Sequence, residues 1–148
     1  MLRASRGAII RRMLVSISLQ LLLPACGESA REHETAAGLH GRIETALRRI
    51  ETGKLVDGLR YRDVTVDPDP AADGFTVKIT DMKLGDPQVG FQSFSQMTFI
   101  VARTDATHFL AGQFRFTPEP VGQGPLAASQ TLVELLWRTA STPHDADD

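Results

Sequence analysis

Apolar residues in the first half of the domain recur at helical spacing and then switch to alternation. Leu39, Ile43, Leu47 and Ile50 follow one another at intervals of four, four and three, the repeat of one helix face, within a segment (28–52) that reads as a helix. Gly38 and Gly41 weaken its middle, so its ordered part is expected to begin near Leu39 and to stop at Gly53, with Glu44 and Arg48 as a supporting i, i+4 pair. From Leu59 to Phe116 the period becomes two and β-branched and aromatic residues accumulate, which predicts four antiparallel strands near 59–66, 75–84, 91–103 and 108–116. Asp73-Gly74, Gly85-Asp86-Pro87 and Asp105 with Thr107 supply the turns.

The apolar phase is not constant along these strands. Tyr61 is followed by Val64 and Val66, and Phe75, Val77 and Ile79 by Met82 and Leu84, so each strand changes face once, as a bulge or a strong twist would require. Met97, Phe99 and Val101 in the third strand and Leu110, Phe114 and Phe116 in the fourth complete the expected inward set. A sheet with one apolar face needs a cover. The helix before it and a second one over 126–139, where Ala128, Leu132, Leu135 and Thr139 form a stripe and Ser129 or Ser141 mark approximate ends, are the candidates. The expected fold is α+β: a four-stranded antiparallel meander flanked by an N-terminal and a C-terminal helix, in a single domain over 38–141, followed by an acidic disordered tail (142–148).

The N-terminus has a different layout. Arg3, Arg6, Arg11 and Arg12 precede an uncharged apolar run, 13–23, which ends at Pro24, Cys26 and Gly27. At about 1.5 Å per residue in a helix, that run spans roughly half of a bilayer core, which suits an export signal better than a transmembrane helix. Leu23-Pro24-Ala25-Cys26 resembles the lipobox of bacterial lipoproteins, with Leu23 three residues before the cleavage point, Ala25 as the small residue before it and Cys26 as the residue that is modified. The resemblance covers the first 27 residues. It implies removal of residues 1–25, acylation of Cys26 by two or three chains, and a polar tether over 26–37. By the same resemblance, Gly27 in place of Asp implies the periplasmic face of the outer membrane. Arg11-Arg12-Met13-Leu14-Val15 also resembles a twin-arginine export motif, so the export route stays open. Cys26 is the sole cysteine, an odd thiol with no internal disulfide partner, for which lipidation is an independent explanation.

Removing residues 1–25 also changes the charge. The whole chain carries a formal net charge of −2, but without the four leading arginines 12 of its 16 basic side chains face 18 acidic ones, a net of −6. Such a chain lacks the basic footprint of a nucleic-acid binder.

Few residues suggest chemistry. Asp67, Asp69 and Asp73 crowd one turn, but Ala71 and Lys78 stand where a helix-loop-helix calcium loop needs ligands, so a proline-stiffened hairpin is expected. His33 and His40 lie seven apart with no third ligand, and are read as solvated or helix-surface residues. Gly122-Gln123-Gly124 lacks the rest of a phosphate loop. Ser93, Ser95, Asp105 and His108 include the residue types of a hydrolytic triad without a nucleophile elbow, and are read as outward strand and turn positions. No catalytic residue, cofactor or metal site is expected. Cys26 is the one named functional residue, for lipidation. The expected role is a membrane-anchored interaction or scaffold module that offers a sheet edge or polar sheet face to an envelope protein. The alternative is a carrier for a lipid or another apolar ligand held between sheet and C-terminal helix, contacted by Phe99, Phe114, Phe116 and Trp137.

Overall fold

A computed structural model describes residues 34–141 apart from Asp57 and Thr107; the expected signal peptide, Cys26, most of the tether and the acidic tail lie outside the described residues. Two helices and four strands follow in the order α1 (Ala36–Thr52), β1 (Asp63–Asp69), β2 (Gly74–Asp86), β3 (Gly90–Arg103), β4 (Phe109–Thr117) and α2 (Gln123–Ser141). The strands pair antiparallel in sequence order, β1-β2-β3-β4, which is the expected meander between two helices.

Helix α1 begins ahead of Leu39 because Thr35 caps it. The Thr35 backbone is extended, and its Oγ1 accepts a hydrogen bond from the Gly38 N–H at 3.0 Å. Gly38 suits that turn, since a Cβ there would lie 2.9 Å from a Glu34 carboxylate oxygen. The helix therefore starts at Ala36, three residues before Leu39. Leu39, Ile43, Leu47 and Ile50 are all buried, as their spacing requires. At the other end the Gly53 N–H donates to Arg49 O (2.8 Å), while the left-handed residue is Lys54, at φ 53°.

β1 starts later than the alternation suggests and runs further. Arg60 keeps one isolated bridge to Lys83, and the continuous ladder opens at Asp63 and passes through Pro68. Proline is tolerated there because β1 is an edge strand, where a missing N–H costs no ladder bond on the solvent side. The expected phase flips are present and fall at one level of the sheet. Buried positions change from Leu59 to Val64 along the chain that leads into β1, from Ile79 to Met82 in β2 and from Phe94 to Met97 in β3, while Thr80 stays opposite Gln96 and Met82 opposite Phe94. Each of these strands thus carries its extra residue at a matching level, so the sheet changes face without losing register. Asp81, at φ 48°, absorbs the change in β2.

β4 departs from expectation. The β3–β4 register shifts between Thr98 and Ile100, with Gln113 at φ 55° on the bulged strand. The bulge reverses the pattern ahead of it: Phe109 and Ala111 are buried and Leu110 is 49% exposed, so Leu110 does not join the core. Phe114 and Phe116, beyond the bulge, stay half-buried against it.

Both helices pack on one face of the sheet, α1 along β1 and α2 across β2, β3 and β4. His40, read from sequence as solvated or helix-surface, is half-buried on α1 and its Nε2 donates to the Val64 carbonyl at 2.9 Å, so it ties helix to strand. Arg42 pairs with Glu34 and also donates to the Thr139 carbonyl near the end of α2, which fastens the start of one helix to the end of the other. α2 extends beyond the expected 126–139 at both ends. Pro125 fits its first turn, and Gly124 lets it approach the β2–β3 turn: a Cβ there would stand 2.9 Å from the Val89 Cβ. Ser129 lies buried within the helix, its Oγ donating to Leu126 O (2.7 Å), and does not mark its start. Ser141 does mark the end, and its Oγ accepts from the Ala111 N–H at 2.8 Å.

Candidate functional site: the open face of the sheet

With both helices on one side, the opposite face of the sheet carries the alternate residues of all four strands. Cross-strand partners share a face, so the register arranges them in rows. Thr65, Lys78, Thr98 and Arg115 form the central row. Asp63, Thr80, Gln96 and Thr117 lie on one side of it, and Asp67, Thr76, Ile100 and Gly112 on the other. Five threonines flank or join the two cations of the central row. Successive rows on one face stand about 6.8 Å apart, and neighbouring strands about 4.8 Å.

The charges on this face are separated by strand. Asp63 and Asp67 sit on edge strand β1, while Lys78 is on β2 and Arg115 on the opposite edge, β4. None of these four side chains has a hydrogen bond or ion pair among the described residues. Thr65 Oγ1 is enclosed without a hydrogen-bond partner. Where the strands change face the surface is closed differently: Arg62 donates to Asp81 at 2.9 Å, a contact that raises the guanidinium pKa further above its ordinary value, and Ser95 Oγ donates to Thr117 O at 3.1 Å.

Among the described residues, the aromatic residues proposed from sequence as ligand contacts pack in pairs or stand on the surface. Phe99 is buried and stacks on Phe114 at 4.7 Å between centroids, and Phe116 packs on Phe94 at 5.1 Å. Trp137 is 44% exposed on α2. A cleft of about 150 Å³ does open near the start of α2, lined by Leu55, Val56, Asp86, Ala128 and Thr131 among others, and none of the four aromatic residues borders it. Its volume is about half of the roughly 300 Å³ at which small-molecule pockets begin.

The residues with catalytic side chains are dispersed. His108 Nδ1 meets Asp105 Oδ1 at 2.8 Å in the β3–β4 turn, where Asp105 also accepts from the His108 N–H. Ser95 lies toward the other end of β3, roughly 26 Å from that turn at the rise of a strand, so no triad forms. Asp69 serves its own hairpin, accepting from the Ala71 and Ala72 N–H groups and from Thr76 Oγ1. Among the described residues, no three His, Cys, Asp or Glu side chains converge as a metal site would need, and no helix is long and apolar enough to cross a membrane. Lys78 and Arg115 were legible from sequence only as outward positions; that they share a row depends on pairing across three strand boundaries. No protein-family model, no curated protein and no solved structure matches this chain.

Proposed function

We propose that this chain is an exported lipoprotein held in the cell envelope by acylated Cys26, and that its α+β domain is a non-catalytic interaction module that docks a partner on the open face of the sheet. The docking reading rests on one observation: a four-stranded face left uncovered by both helices, on which Lys78, Arg115, Asp63 and Asp67 have no hydrogen bond or ion pair among the described residues. The anchor rests on the uncharged run 13–23 that leads into Leu23-Pro24-Ala25-Cys26. Each buried methylene of an acyl chain contributes about 0.8 kcal/mol, so two or three chains hold a domain at a membrane where one would not.

Intact mass of the protein extracted from membranes tests the anchor. The expected mass is that of residues 26–148 plus two or three acyl chains, and Cys26→Ala is expected to lose both the acyl mass and the membrane fraction. An unacylated mass would overturn the anchor. For the docking face, a photocrosslinking residue at Thr98 is expected to form discrete adducts in intact envelopes, while the same residue at Glu44 on α1 does not. Equal labelling at both positions, or none at either, would count against the open face.

A further inference from the structure

The separation of charge on the open face makes it self-complementary, and we infer that the partner it fits is a second copy of this chain. The inference rests on the docking reading above and names its occupant. Two copies placed face to face, related by a two-fold axis parallel to the strands, put β1 of each over β4 of the other and β2 over β3. The central row then meets the same row of its mate in reverse order. Arg115 of each copy falls opposite Thr65 of the other, between Asp63 and Asp67, which lie one row away on either side. Lys78 falls opposite the neutral Thr98. Each Arg115 side chain gains two carboxylates, so Arg115, Asp63 and Asp67, which have no hydrogen bond or ion pair among the described residues of one copy, acquire counter-charges in the pair, while Lys78 stays beside neutral neighbours.

The charge pattern also selects this arrangement over its alternative. A two-fold axis across the strands would lay β1 on β1 and set Asp63 of each copy against Asp67 of the other, a like-charge arrangement that disfavours association. Size fits a weak and specific contact. Four strands by the seven residues of β1 give a footprint on the order of 19 Å by 23 Å per copy, below the range of stable interfaces and within that of weak, transient ones. Ile100 and the half-exposed Leu110 add apolar area at one end. Anchoring at a membrane confines the copies and raises their effective concentration, so a contact of modest strength suffices.

Sedimentation velocity of the full chain in density-matched detergent, from about 1 to 100 μM, reads the association directly. The expected result is a concentration-dependent dimer that weakens as salt is raised. Arg115→Asp and Asp67→Arg, both at exposed positions, are each expected to weaken the dimer about tenfold or more, and the two together to recover part of that loss, since Asp63 still faces the introduced carboxylate. Far-UV circular dichroism and the urea midpoint should stay unchanged in all three variants. A monomer throughout the range, or a dimer indifferent to both single changes, would overturn the inference. Cys26→Ala in the same series separates face-mediated pairing from association through acyl chains, since only the former survives it. A monomeric wild type whose Thr98 photocrosslinker still captures another protein would sink the second copy and leave the docking reading standing; a monomer without such adducts would sink both.

Discussion

The ring of Phe91 occupies the space where a side chain on Gly58 would begin, with its Cε1 atom 1.9 Å from the position a Cβ would take. Gly58 also has φ 66°, in the left-handed region, so two independent constraints hold that position to glycine. Lys83 Nζ covers the same ring at 5.0 Å from its centroid, which places Phe91 between a glycine and a cation although it is 44% exposed. Gly58→Ala is expected to destabilise the domain by about 1–3 kcal/mol, the sum of backbone strain and ring displacement. Urea unfolding would measure it. Phe91→Leu in that background should recover part of the loss, leaving the share due to φ.

Arg42 is the second point of leverage. It is nearly buried, pairs with the still more enclosed Glu34, and satisfies the Thr139 carbonyl at the end of α2. Arg42→Ala leaves a buried carboxylate and a helix-end carbonyl without this donor, and should cost about 3–5 kcal/mol with increased amide exchange in the last turn of α2. The exposed Glu44–Arg48 pair, at 3.8 Å, provides the contrast: its removal is expected to change stability by less than about 0.5 kcal/mol. Equal effects at the two pairs would show that burial is not what gives the first its weight.

The β4 bulge has a backbone signature that can be relieved. Gln113 is exposed and sits at φ 55°, where an L-residue pays a steric cost that glycine avoids. Gln113→Gly is expected to raise stability by up to about 1 kcal/mol, and Gln113→Val to lower it by 1–2 kcal/mol or more because a β-branched side chain tolerates that region poorly. The two urea midpoints should move in opposite directions.

Trp137 separates docking from carriage of an apolar ligand. It is half-exposed on α2, away from the small cleft near the start of that helix. Its fluorescence is therefore expected to be that of a solvated indole and to stay flat when a fatty acid or phospholipid is titrated to micromolar concentration. A saturable blue shift would favour the carrier and count against the docking reading.

The sequence by itself determined the class of the fold, because its signals are local. Leu39, Ile43, Leu47 and Ile50 define a helix face within fourteen residues, and alternation through Val77, Met97 and Phe99 defines strands whose short turns permit only antiparallel neighbours. Even the phase flips at Val64 and Met82 can be read one strand at a time. What only the tertiary structure decided depends on which strand atoms meet. The bulge at Gln113 turned Leu110 outward and Phe109 inward, although both are apolar and adjacent, since a single inserted residue reverses the facing of the side chains on one side of it relative to the other. His40 found the Val64 carbonyl, and Arg42 found Thr139, across 24 and 97 residues of chain that no local pattern connects. The open-face row of Thr65, Lys78, Thr98 and Arg115 is of the same kind: each residue is an ordinary outward position in its own strand, and only the register of three strand pairs gathers them into one surface.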